Sequence, residues 1–140
     1  MTEGSPVRRL NCVDMSRWGG PLSDDQARQL WEAGVRNIKV GDGSAQGAGA
    51  FAREQAETWL RLHGEAGGTV DAYIYLYMQG SPSDQVSAAL QTLAGLPVRH
   101  WWLDAEDLES PALTATQREA FLCACLQALG KELAGIYTGR

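Results

Sequence analysis

The stretch His100-Trp101-Trp102-Leu103-Asp104-Ala105-Glu106-Asp107-Leu108-Glu109 decides how the chain is read. Trp101 to Leu103 are bulky, apolar residues with strand preference, and carboxylates follow at once. The expectation is a buried strand that ends in concentrated negative charge, with the polarity switching at Asp104. Side chains alternate along a strand, so Asp104 and Glu106 project to one side, about 7 Å apart, with Ala105 facing away. Where such a pair is poorly hydrated, repulsion keeps one carboxyl protonated near neutral pH while the other ionises, which supplies an acid and a base. The plainer alternative is that Asp107 and Glu109 are solvated and Asp104-Ala105-Glu106 opens a loop or caps a helix.

Upstream, Val70 to Met78 is the clearest strand, alternating after Asp71 so that Tyr73, Tyr75 and Tyr77 share one face. That face either contacts sugar or forms a packing stripe. Ser81-Pro82-Ser83-Asp84 opens a helix through Val86, Ala89, Leu90 and Leu93, closed by Gly95 and Pro97. Earlier still, Val35 to Val40 reads as a strand and Gly41 to Gly49 as a glycine-rich loop leading into a helix from about Ala50 to His63. That loop carries neither the Rossmann spacing, because Gln46 stands where the last glycine is needed, nor a Gly-Lys-Ser/Thr. It is read as a plain loop rather than a phosphate cradle. Arg9 to Val13 forms a first short strand ending at Asp14, and Ser23 with Gln26 has the form of a capping box for a helix through Ala27, Leu30, Trp31 and Ala33 to Gly34. Downstream, Pro111 and Thr114 to Gln117 begin a longer helix carrying Phe121, Leu122, Cys125, Leu126 and Leu129, and Ala134 to Thr138 reads as a fifth strand. This alternation predicts an α/β fold: five parallel strands in the order 1-2-3-4-5 with right-handed crossovers, curved as part of a barrel.

A chain of 140 residues is one ordinary domain, short for an eight-fold α/β barrel, which needs about 250. The formal charge of −5 with no basic cluster beyond Arg8-Arg9 speaks against a nucleic-acid partner. Three cysteines, an odd number without paired spacing, read as core thiols rather than a disulfide framework or zinc site. No apolar leader or membrane span is present in the sequence, so a soluble chain with no membrane partner is expected.

Asp14, Asp42 and the Asp104/Glu106 pair all fall at or just after the C-terminal end of a predicted strand, the rim where α/β folds place ligands and reacting groups. His63 and His100 fall toward the other rim, which argues against a histidine triad or metal site. A magnesium-dependent phosphoryl-transfer site held by Asp104, Glu106 and Asp14 is a further option.

Val13-Asp14-Met15-Ser16, Ile38-Lys39-Val40-Gly41-Asp42-Gly43, Asp71-Ala72-Tyr73, Trp102-Leu103-Asp104-Ala105-Glu106 and Gly135-Ile136-Tyr137-Thr138, in this order, resemble glycoside hydrolase family 25, the lysozymes of phage, bacteria and fungi. The resemblance spans most of the chain and departs from the family at Gly19-Gly20 and at Asp42, where Gln-Gly and Glu are usual. It implies a single TIM-like (β/α) barrel domain over residues 1–140, with five of its strands present, that cleaves the β-1,4 bond between N-acetylmuramic acid and N-acetylglucosamine in the peptidoglycan of the bacterial cell wall. By the same resemblance Glu106 is the general acid, Asp104 assists the substrate's acetamido group, Asp14 is a further acid in the cleft, and Tyr73, Asp42 and Ser16 bind substrate. Such chemistry calls for no metal or cofactor. The alternative is a glycan-binding or structural relative without catalysis. In either case the open barrel edges are expected to favour self-association.

Overall fold

The structure, a computed structural model, describes residues 11–15, 20–42, 51–77, 80–105, 113–130 and 133–137. Five strands alternate with four helices: β1 (Cys12–Asp14), α1 (Asp24–Glu32), β2 (Asn37–Asp42), α2 (Ala52–His63), β3 (Thr69–Tyr75), α3 (Pro82–Thr92), β4 (Val98–Asp104), α4 (Ala115–Leu129) and β5 (Leu133–Tyr137). All neighbouring strands pair in parallel, in the order β1-β2-β3-β4-β5. This is the α/β architecture expected from the alternation. A sheet that advances one strand at a time through right-handed crossovers keeps its helices on one face, as barrel segments do, whereas a doubly wound sheet reverses direction.

Local chemistry sets the helix ends. Ser23 and Thr114 each accept from the backbone N–H three residues on, and Gln26 and Gln117 return the bond, so α1 and α4 both begin with a complete capping box. Ser81 caps α3, with Pro82 pre-setting its first turn. At the other ends Gly34, Gly95 and Gly130 take positive φ, which a side chain would resist. Arg53 then ties α2 to the end of α3 by donating to Thr92 O at 3.0 Å and Ala94 O at 2.9 Å.

The apolar core lies between the sheet and the helices. Ile38 and Val40 of β2, Val70, Ala72 and Ile74 of β3, and Trp101 and Leu103 of β4 are buried against Ala56, Trp59, Val86, Ala89, Cys125 and Leu129. Each fully buried large side chain contributes about 1.5–3 kcal/mol by leaving water. Between α1 and α2 the ring of His63 stacks on Trp31 at 4.5 Å and meets Trp59 edge-on at 4.6 Å, and the Arg36 guanidinium lies 3.8 Å from the centroid of that same Trp31 ring. His63 Nε2 is 3.0 Å from Ala27 O, so this histidine is a packed core residue.

Three expectations need adjustment. β2 runs through Gly41 and Asp42, which the sequence suggested as loop; β3 ends at Tyr75, short of Met78, which lies outside the described residues. His100 falls near the start of β4, two residues after Val98. The cysteines are free but not uniformly core: Cys125 is buried, Cys12 half-buried and Cys123 exposed, because the 123-x-125 spacing turns the two thiols to different helix faces. Burial pushes the Cys125 thiol up to about 11. No described helix is long and apolar enough to cross a membrane.

Candidate active site

Strand register sorts the side chains of the face opposite the helices into four rows, from the N-terminal end of the strands upward. The lowest is Cys12, Asn37 and Thr69. Cys12 Sγ donates to Asn37 Oδ1, and Asn37 Nδ2 donates to Thr69 Oγ1, both at 2.9 Å. Burial pushes the Cys12 thiol pKa up, and the nearby Lys39 partly opposes that.

The second row is Asp14, Lys39 and Asp71, and β4 completes it with a bulge. Val70 faces Val98 while Ala72 faces Trp101, so Arg99 and His100 together stand opposite the single residue Asp71. Arg99 uses the geometry fully: Nε and Nη2 donate to the two Asp71 oxygens at 3.0 and 3.1 Å, and His100 Nδ1 stands 3.7 Å from Oδ1. The hydrogen bonds to Asp71 raise the Arg99 pKa further. Asp71 is 4% exposed and Lys39 9%. Charge therefore alternates in sign across four adjacent strands, which is how ionised groups tolerate such burial.

The third row is Gly41, Tyr73, Trp102 and Gly135. A Cβ on Gly41 would stand 1.9 Å from the Tyr73 ring, and one on Gly135 would stand 2.5 Å from the Trp102 ring. The two central aromatics are thus laid over the two flanking glycines. Lys39 Nζ rises to 4.5 Å from the Trp102 ring centroid, a cation on an aromatic face. At the top Tyr75 is level with Asp104, whose backbone register partner on β5 is position 137. Tyr75 and Asp104 are half-buried, and the Tyr75 ring lies 4.8 Å from that of Tyr77. Buried Gln85 of α3 fixes the chain beyond β3 by accepting from Tyr77 N at 2.7 Å and donating to Tyr77 O at 2.9 Å.

Asp14, Asp42 and Asp104 each close a strand at its C-terminal end, as the sequence suggested, but they do not share a row. Asp14 is level with Asp71, and Asp104 with Tyr75, further along β3. Asp42 is in register with Ile74 and, through it, Leu103, out of phase with both other acids. Tyr73 sits one row below Asp104 on the same face. Glu106 and Ser16, and with them the parity argument for the Asp104/Glu106 pair, lie outside the described residues. Neither a protein-family model nor a curated protein matches the chain.

Half-buried rings beneath a carboxylate make a surface suited to a polyhydroxylated ring, whose C–H faces stack on aromatics while its hydroxyls bond to acids. Among the described residues no three His, Cys, Asp or Glu side chains gather as a metal site would require. A separate cleft of about 400 Å3 opens beside the end of α3 and the start of β4, lined by Leu90, Leu93, Leu96, Val98, Arg99 and Trp101. It lies at the opposite end of β4 from Asp104 and offers apolar walls rather than reacting groups. Sequence reading passed over Lys39, Arg99 and Trp102. For Lys39 there was a signal, an ionisable residue inside the apolar run Ile38-Lys39-Val40; the Arg99 contact depends on the bulge, which no local pattern announces.

Proposed function

We propose that this chain is a lysozyme-like glycosidase that cleaves the β-1,4 bond between N-acetylmuramic acid and N-acetylglucosamine in peptidoglycan. Glu106 protonates the leaving oxygen, and Asp104 orients the substrate's acetamido group and stabilises the positive charge of the ring it forms. The observation that carries this reading is the position of Asp104: it closes β4 in the row directly above Tyr73 and Trp102, beside Tyr75, with Glu106 two residues further on. A proton donor and a negative charge beside the sugar suffice for an oxocarbenium-like transition state, so neither metal nor cofactor is invoked.

The tyrosine and tryptophan rows also support a second reading, a glycan-binding domain without turnover. A turbidity assay on purified cell walls, with reducing-end release measured beside it, separates the two. Release by the wild type and its loss in Glu106→Gln support the enzyme; retention of glycan with no release at any pH supports the binding domain. Self-association through the sheet edges belongs to the same proposal, supported by Ile136 of β5, 41% exposed. A well-behaved monomer in light scattering over a wide concentration range would count against it.

A further inference from the structure

The exposed positions of α1, α2 and α3 are all polar or charged, Asp25, Arg28, Glu54, Glu57 and Asp84 among them. α4 departs from that pattern. From Ala120 to Leu129 it carries no charged residue, yet only Cys125 and Leu129 are buried. Thr116, Glu119, Ala120, Cys123, Leu126 and Gln127 are exposed along one stripe, spaced by three and four, and Leu126 is 39% open to solvent. A helix that is apolar on its outer side as well as its inner side belongs beneath a further layer. The stripe is complementary to itself. Set antiparallel against a second α4 with the crossing at Cys123, positions equally far before and after that residue face each other. Ala120 then meets Leu126 of the second copy, and Glu119 meets its Gln127. A small side chain lies under a large one at two places, which lets the helix axes approach, and a Gln127 amide can donate to a Glu119 carboxylate at both ends. Lipid fits less well: α4 carries a single basic residue, Arg118, and a chain of net charge −5 is repelled by anionic headgroups.

We propose that α4 is a self-docking surface: two copies of the chain pack α4 against α4, antiparallel, about a two-fold axis at Cys123. The same patch serves on both sides, as a closed two-fold pair requires. With 15 residues α4 is about 22 Å long, so the crossing buries far less than the roughly 1,600 Å2 of a standard interface. The pair is therefore a weak one, with a dissociation midpoint of about 10 μM to 1 mM. The inference does not rest on the glycosidase reading, and its surface is not the sheet edge.

The test is sedimentation equilibrium of the full chain across about 1 μM to 1 mM, run on the wild type, Leu126→Glu and Gln127→Lys. The wild type should pass from monomer to dimer over that range. Leu126→Glu sets a carboxylate beside Glu119 of the second copy and should weaken the dimer about tenfold or more, whereas Gln127→Lys offers that Glu119 an ammonium and should tighten it about threefold at low salt. A short bis-maleimide should join wild-type chains through Cys123, the exposed thiol, and should fail with Cys123→Ser. A wild type that stays monomeric throughout overturns the proposal. So does a dimer indifferent to both stripe variants, and that outcome assigns association to the sheet edges instead. If Leu126→Glu does not fold, Gln127→Lys decides: a tighter dimer supports the proposal, and an unchanged or weaker one overturns it. None of these measurements reads hydrolysis, so failure of the glycosidase reading is seen separately in the turbidity assay.

Discussion

The lower and upper halves of the sheet face opposite the helices share β2, β3 and β4 but solve different problems. Below, Asn37, Lys39 and Asp71 are buried, and the polar groups are spent on one another: thiol to amide, amide to hydroxyl, guanidinium to carboxylate. Above, Tyr73, Tyr75, Trp102 and Asp104 are half-buried, and aromatic rings make up most of the layer. Burial explains the difference. Charges taken from water must be matched in place, whereas groups in a half-open layer stay partly in contact with solvent. Tight polar pairing therefore marks the floor of this sheet face, and aromatic residues beneath the strand-end acid Asp104 mark its upper rim.

The sharpest way to break that contrast is to remove the proton donor assigned to the rim. Glu106→Gln should lower reducing-end release by about 100-fold or more, with glycan retention and the urea midpoint nearly unchanged. A comparable loss of stability instead would make the rim structural too. Next comes the floor. Asp71→Asn leaves Arg99 and Lys39 facing an uncharged amide and should cost about 2–3 kcal/mol in urea unfolding, less than a fully buried pair because Arg99 is half open to solvent. Its effect on turnover at saturating glycan should be small by comparison.

Between the halves lie the glycines. Gly41→Ala should cost about 1–3 kcal/mol by pushing the Tyr73 ring from its place, and much of that cost should vanish in the double variant with Tyr73→Ala, the cycle being read by thermal unfolding. Additive costs would show that ring and glycine do not interact. The smallest effect belongs to neither half. The exposed Arg61 guanidinium holds the Asp24 carboxyl below its usual range by a side-chain hydrogen bond. Because the folded value is the lower one, the pair's contribution is present above the ordinary carboxylate range and is lost as pH falls through the folded value. Asp24→Asn should alter only the acid end of a pH-stability curve, slightly, and 1 M salt should erase the difference.

Much of the frame was legible without coordinates because its signals are local. Ser23 with Gln26 and Thr114 with Gln117 announced two helix starts, and the alternation of Tyr73, Tyr75 and Tyr77 with Ile74 and Leu76 announced β3 while leaving open which of its faces packs beneath the helices. Parallel order followed from the succession of strand and helix. The site was only partly legible, since its rows depend on register. Gly41 looks like the start of a loop until the Tyr73 ring is seen lying across it. The strand-end positions of Asp14, Asp42 and Asp104 were readable from polarity, but their different rows were not, because one residue of phase separates Asp42 from the other two. The pairing of Asp71 with Arg99 required the bulge in β4, and a bulge is a property of two strands together.

The two glycine–ring contacts also constrain how this chain can change over time. Positions 41 and 73 cannot drift independently, nor can 135 and 102, because each ring occupies the volume that a side chain on its partner would need. A descendant that acquires alanine or serine at 41 must first, or at once, shrink or turn the residue at 73. Each pair is therefore inherited as a unit, and an alignment of related sequences should show the members of each pair changing together, even though 31 or more residues of chain lie between them.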